Sequence, residues 1–286
     1  MEKSYLTTNQ VAELFNVDNS TIRRWSMTGK IECQSTHGGH RKFLFKNIVK
    51  FLKDNPKKNQ LNFSSIVSIG NNLNADDYTE LIKNYALDRD VKQIDLLVMK
   101  FYIEGIKVSN IFDNYIDTSL EKIQTMLDRK EISIAEEHIA RKTISKALDN
   151  FRSTIAKNPN NNNSALCLNL ENDIPDLAID MIQIVLEEQG FNVHNSGSNT
   201  SIENLQLLLK KNKFNAIYIY MCNRQCCSAT VKNNFVNTIR DLKTINQLCE
   251  KYNINLFIGG PGTQLINSDI SFQYNKFMFF SDLNFK

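Results

Sequence analysis

The spacing of apolar positions divides the chain into three stretches with different periods. Over residues 8–54 short helical repeats alternate with turn signals. Asn55-Pro56 in "KDNPKKNQ" stops the last helix, because the residue before a proline is pushed out of helical geometry. From about Asp76 to Ala156 apolar residues recur at spacings of three and four, as in Ile94, Leu97, Val98, Phe101 and again Ile139, Ile144, Leu148, Phe151. That period predicts four antiparallel helices, a central four-helix bundle. "KNPNNNNS", residues 157–164, follows with a proline and a run of asparagines that suit no core, and reads as a linker. Beyond it "ALCLNL", "FNVHNSG", "NAIYIYM" and "INLFIGG" are short apolar runs separated by stretches long enough for helical crossovers, with "FMFF" at Phe277 to Phe280 as a final strand. Such alternation predicts a Rossmann-like (flavodoxin-like) doubly wound parallel sheet. The chain is thus read as multidomain α and α/β, with domains at residues 1–58, 75–157 and 164–286.

The first stretch has the shape of a helix-turn-helix. In "LTTNQVAELFNVDNSTIRRW", Thr8 is placed to cap a helix carrying Val11, Ala12, Leu14 and Phe15, and Asp18 or Asn19 to cap a second. On that second helix Ile22 and Trp25 stand three apart and can pack inward, while Thr21, Arg23 and Arg24 are polar, which marks it as the reading helix. After a stop at Gly29, "IECQSTHGGHRKFLF" gives two strand-like runs around His37-Gly38-Gly39-His40, a tip whose glycines allow the positive dihedrals of a tight hairpin. A hairpin beside a reading helix is a wing. Arg41 and Lys42 at its root are placed to meet phosphates or a minor groove.

Charge sharpens this. The 286 residues carry a net charge of only +3, yet over residues 1–58 eleven Lys and Arg face five Asp and Glu, so the basic excess is local to the N-terminal stretch. "MEKSYLTTNQ" lacks the apolar run of a secretory leader, and no stretch approaches the roughly 20 apolar residues that span a bilayer, so a cytoplasmic protein is expected. The six cysteines show no disulfide-framework spacing. "CNRQCC" has no histidine nearby, and adjacent Cys226 and Cys227 suit one tetrahedral ion poorly, which points to free thiols rather than zinc.

"YLTTNQVAELFNVDNSTIRRWSMTGKIECQSTHGGHRKF" resembles the winged helix-turn-helix of MerR-type transcription regulators, with "GGHRKF" close to that family's GGHRR wing. The likeness covers about residues 4–52, and excisionase-type domains share much of it. It implies that Thr21, Arg23 and Arg24 on the second helix and His40, Arg41 and Lys42 on the wing contact DNA.

Residues 76–286 resemble the helical bundle and Rossmann-like pair of the CarH and LitR group of light-responsive MerR regulators, with "EISIAEEH" the best local match. In that group a tryptophan ten positions before a Glu-His pair caps the upper face of cobalamin. Glu137-His138 match the pair, but Leu127 stands at the tryptophan position. Below the corrin such modules carry an acid, any residue, a cobalt-ligating histidine and, three further on, a glycine that makes room for the nucleotide tail. Counting back from Gly190-Phe191 in "NLENDIPDLAIDMIQIVLEEQGFNVHNSG", those positions are Asp173, Pro175 and Ala178. Only the acid remains, and proline offers a metal no lone pair. Gly197 after the second strand and Gly259-Gly260 after the fourth persist, as the turns of any doubly wound sheet require. His194 has no partner legible in the sequence.

The expected function is sequence-specific regulation of transcription, as a repressor by analogy with the CarH group. The C-terminal half would keep the architecture of a cobalamin sensor without binding cobalamin or a metal, and would serve in homo-oligomerisation or in binding a protein partner or another small-molecule effector. The operator is expected to be double-stranded DNA with inverted or direct repeat half-sites. The alternative is a working cobalamin photoreceptor with unusual ligation. An enzyme is not expected, since no nucleophile, base and orienting residue stand at a recognisable spacing.

Overall fold

The structure is a computed structural model that describes residues 5–55, 61–63, 73–155, 157–158, 160–171, 177–222, 235–266 and 272–283. Its residues fall into two compact units: residues 1–107, 114–123 and 133–155 in the first, and residues 108–113, 124–132 and 156–286 in the second.

The first unit opens with β1 (Tyr5–Thr7), α1 (Thr8–Leu14), α2 (Asn19–Met27), β2 (Gln34–Ser35), β3 (Arg41–Leu44) and α3 (Phe45–Asp54). Thr7, not Thr8, caps α1. It is still extended at the end of β1, its hydroxyl accepts the Gln10 N–H, and Gln10 Oε1 accepts the Thr7 N–H, a reciprocal box that Thr8 could not form. Asp18 occupies the cap position of α2 but makes no side-chain capping bond. At the far end Gly29 takes φ +70°, and the bonds Gly29 N–H to Ser26 O and Lys30 N–H to Trp25 O close the helix in a Schellman turn.

The sheet order is β1-β3-β2, all antiparallel. β1 was not expected, because three residues are too few to show an alternating period. The run before the hairpin is shorter than anticipated: only Gln34–Ser35 pairs, while Ile31 is buried outside any strand. Between these layers Leu6, Val11, Leu14, Ile22, Phe43 and Ile48 are almost fully buried. Residues 61–63 return to this group, with the Asn62 N–H donating to Leu14 O and Phe63 buried.

The rest of the first unit is helical: α4 (Ala75–Leu87), α5 (Val91–Ile103), the first half of α7 (Thr118–Asp128) and α8 (Ile134–Arg152). Asn74 and Ser133 start α4 and α8 with capping boxes completed by Asp77 and Glu136, and Asp90 caps α5 through the Gln93 N–H. Ile94, Leu97, Val98 and Phe101 are buried as their period requires, as are Ile144, Leu148 and Phe151. Ile139 departs from its expected place and is 38% exposed, because the buried stripe of α8 runs through Ala140, Ile144, Ala147 and Phe151, about 100° around the helix from it.

The second unit contains α6 (Val108–Ile111), which leads through a π-helical turn at Phe112–Asp117 towards α7. Then come β4 (Ser164–Leu170), α9 (Leu177–Glu188), β5 (Asn192–Thr200), α10 (Ile202–Lys211), β6 (Ala216–Tyr220), α11 (Phe235–Tyr252), β7 (Asn255–Gly259) and β8 (Asn275–Phe277). The five strands are parallel in the order β5-β4-β6-β7-β8, so the chain direction across the sheet reverses beside β4. One face, with Leu166, Leu168, Ile217, Ile219, Leu256 and Ile258, packs with Leu205, Leu209, Leu242 and Ile245 of α10 and α11. Strand alternation puts Cys167, Tyr218 and Phe257 on the other face.

Three expectations need correction here. The last strand ends at Phe277 rather than Phe280: Asp282 accepts the N–H groups of Met278 and Phe279, and Asp113 those of Phe280 and Ser281, which turns the chain into a short 3-10 helix. Gly197 lies inside β5, not after it, at φ +70° in a register shift where its N–H donates to Asn195 Oδ1. The asparagine tract is no free linker. Asn158 and Asn161 donate their N–H groups to Glu188 O and Gly190 O, Asn163 O accepts from Asn192, and Lys157 pairs with Glu187 at 2.6 Å, so the tract, though exposed, is tied to the end of α9.

Candidate nucleic-acid interface

α2 is anchored from one side only. Ile22 is fully buried, and Trp25 packs against Phe15 edge-on at 5.7 Å and Phe51 at 4.9 Å. The intervening Arg23 and Arg24 are thereby forced outward and are exposed, with Thr21 half-buried beside them. Among the described residues neither arginine makes an ion pair, so both guanidinium groups keep their five donors for an external acceptor. Asn19 at the start of α2 donates to Asn9 at 2.6 Å, a tie between the two helices that the sequence did not single out.

The hairpin turns through two bonds, Thr36 N–H to His40 O and Gly39 N–H to Thr36 O, both 2.9 Å. Only Gly39 uses a positive φ, +74°. His40 is exposed at the tip, Arg41 is half-buried opposite Ser35, and Lys42 is exposed with its ammonium 5.6 Å above the Tyr5 ring. Tyr5 also donates its hydroxyl to Gln34 at 3.0 Å, so β1 braces the hairpin from both strands. Tyr5 was missed in the sequence because its role depends on a strand too short to show. Lys50 of α3 pairs with Glu32 at 3.0 Å, and that carboxylate raises the lysine's pKa, which leaves Lys50 less available than the unpaired cations.

The positions aligned to a corrinoid site have a different character. Glu137 is 1% exposed and pairs with Arg141, one turn on, while His138 is exposed with Nε2 3.8 Å from the same carboxylate. Leu127 is buried in the second unit. Ala178 is half-buried in the first turn of α9, and Asp173 and Pro175 lie outside the described residues. Space beside the glycine pair is already taken: a Cβ on Gly259 would run into the Phe277 ring, and one on Gly260 would lie 2.6 Å from Met221 O. His194 has a partner after all, the Phe214 ring at 5.1 Å edge-on.

Elsewhere on this sheet the Tyr218 hydroxyl is buried with no hydrogen-bond partner among the described residues, and its ring stacks on Phe257 at 4.5 Å. Burial raises the pKa of Tyr218 and of Cys167, and pushes Cys249 up to about 12, so none of the three is an activated nucleophile. Among the described residues Cys33, Cys167 and Cys249 are free thiols, and Cys226 and Cys227 lie outside them. Among the described residues no three His, Cys, Asp or Glu side chains gather as a metal site, and no helix is long and apolar enough to cross a membrane.

Residues 5–56 match the model of a helix-turn-helix domain. No curated protein matches the chain. Among solved structures, the monomethylamine corrinoid protein of Methanosarcina barkeri is similar over 73% of this chain and 96% of its own, at 14% identity and a TM-score of 0.54. The methanol:cobalamin methyltransferase complex of the same organism (15% identity, 70% and 75% covered, TM-score 0.32) is also similar. So is a cobalamin-binding protein of Desulfitobacterium hafniense (13%, 71% and 94%, 0.34). The first of these shows a shared fold, a helical region and a parallel five-stranded sheet flanked by helices. The helix-turn-helix match points to DNA binding by residues 5–56.

Proposed function

We propose that the protein is a sequence-specific DNA-binding transcription regulator of the MerR type, a repressor that reads its operator as an oligomer. Residues 1–58 form its winged DNA-binding domain, residues 75–157 a four-helix bundle and residues 164–286 a Rossmann-like domain. One observation carries the reading: within the matched helix-turn-helix segment, Ile22 and Trp25 fix α2 from below and leave Arg23 and Arg24 exposed and without ion pairs among the described residues. Arg24 is assigned to a base edge, Thr21 and Arg23 to neighbouring contacts on α2, and His40, Arg41 and Lys42 to the phosphates beside the hairpin. A single small domain touches few base pairs, so paired half-sites are needed for discrimination.

In this reading the C-terminal half no longer holds cobalamin. A corrinoid needs a lower axial ligand and a channel for its nucleotide tail. Proline at position 175 cannot ligate, and at the position of the channel glycine stands Ala178, whose methyl is half-buried in the first turn of α9. The residues present do not fit the group. The shared fold then serves oligomer contacts or another input. The competing reading, a cobalamin-dependent light sensor, draws on the fold shared with the corrinoid protein alone.

Selection of binding sites from random duplexes by the full-length chain tests the proposal. Enrichment of one motif as two spaced copies is expected. Recovery of no common motif, at a salt concentration where the protein still retains DNA, would overturn it.

A further inference from the structure

On the first unit, the turn between α4 and α5 and the outward side of α8 enclose an open groove of about 350 Å³. Its charge is one-sided. Arg89 comes from the turn, and His138, Lys142 and Lys146 stand at four-residue intervals along one line of α8. No carboxylate lines it. Of the carboxylates close in sequence, Asp90 accepts the Gln93 N–H at the start of α5, Glu136 accepts from the Ser133 N–H and hydroxyl and faces Arg89 electrostatically, and Glu137 pairs with Arg141 and lies 3.8 Å from His138 Nε2. Among the described residues Arg89, Lys142 and Lys146 form no ion pair. Between the cations lies an apolar floor of Val91 and Ile139, the latter 38% exposed where the bundle's own period does not need it.

A second feature concerns the backbone. The bonds Arg89 N–H to Ala86 O and Asp90 N–H to Tyr85 O close α4 in a Schellman turn, whose left-handed position is usually glycine or asparagine. Arg89 occupies it at φ +64°, whereas asparagine takes four of the six non-glycine positions with positive φ among the described residues. A side chain kept at a strained position, without an ion pair among the described residues and at the mouth of a groove, points to use by a ligand.

From the groove we infer a binding site for a nucleoside di- or triphosphate. Lys142 and Lys146, one turn apart and so about 5–6 Å between their Cβ atoms, can bring two flexible ammonium groups onto one di- or triphosphate chain. Arg89 supplies the planar fork that phosphate oxygens accept best. Val91 and Ile139 carry the flat face of the base, which a DNA backbone or a free inorganic anion would not use. The volume lies within the roughly 300–1,000 Å³ of small-molecule sites. This site is independent of the DNA-binding reading.

The experiment is a titration of full-length protein into a ribose-labelled fluorescent adenosine triphosphate, followed by anisotropy. A saturable rise is expected, reversed by unlabelled adenosine triphosphate and at least ten-fold less well by pyrophosphate, which lacks the base. The double variant Lys142→Glu/Lys146→Glu should weaken binding at least ten-fold, and Ile139→Ser several-fold. Reversal of the exposed pair Lys210 and Lys211 to glutamate should change nothing. All these positions are at the surface, and matched thermal melts confirm folding. The inference is overturned by the absence of a saturable rise, by pyrophosphate competing as well as the nucleotide, or by wild-type affinity in the double variant. It is overturned equally if a scrambled duplex displaces the probe and the double variant loses duplex affinity, which would make the groove a DNA contact.

Discussion

Trp25 on α2 and Phe51 on α3 lie ring over ring, their centroids 4.9 Å apart and their planes 33° from parallel, and Phe15 meets both edge-on. This triangle fixes the roll of α2, and therefore which of its residues face outward. Removing the indole should cost about 3–5 kcal/mol as other large aromatic truncations do. Trp25→Ala is expected to unfold the N-terminal segment at lower temperature and to abolish DNA binding, whereas Trp25→Phe should retain both in part. Near-ultraviolet circular dichroism during a thermal melt, read beside a gel shift, checks this. Unchanged DNA binding by Trp25→Ala would mean that the triangle does not position α2.

Adenosylcobalamin should elute separately from the protein on gel filtration, and DNA affinity should be the same in darkness and under illumination. Both follow from the proline at position 175 and from the methyl of Ala178. Co-elution at one cofactor per chain with a shifted absorption band would restore the light-sensor reading, with Asp173, His138 or His194 as the substitute ligand.

Burial holds the Cys249 thiol at about 12 in the folded protein, above the roughly 8.5 of an exposed thiol. The folded pKa is raised, so the stability linked to this group is complete below about 8.5 and is lost as pH rises towards 12. Urea midpoints should therefore fall between pH 8 and pH 10, less steeply in Cys249→Ala. At pH 8 an alkylating reagent should label the half-buried Cys33 before Cys167 and Cys249, which should react only on unfolding. Early labelling of Cys249 in native protein would contradict its burial.

The strands of the second unit were legible because parallel strands covered on both faces read as continuous apolar runs: "ALCLNL" and "AIYIY" are buried over almost their full length. The same was true of α2, where Ile22 and Trp25 state its inward side. Short or polar elements were not. β1 has three residues, and its Thr7 was displaced by Thr8 as the cap because only the strand pairing shows where extended backbone ends. The asparagine tract looked like a linker because its partners at Glu188 and Gly190 are about thirty residues away. The groove of Arg89, Lys142 and Lys146 depends on a turn meeting a helix fifty residues later, which no local period records.

The most direct measurement compares the full chain, Arg24→Ala and Arg41→Ala across a salt series on the selected operator and on a scrambled duplex. A bidentate guanidinium to guanine contributes about 1–3 kcal/mol of discrimination, so Arg24→Ala should weaken the operator by roughly five- to 150-fold more than the scrambled duplex. Arg41→Ala should weaken both alike and lower the salt slope by about one per half-site, as loss of a phosphate contact does. Equal losses on both duplexes for Arg24→Ala would make it a backbone anchor. Wild-type affinity in both variants would contradict the account, since the exposed arginines of α2 and the hairpin would then take no part in holding DNA.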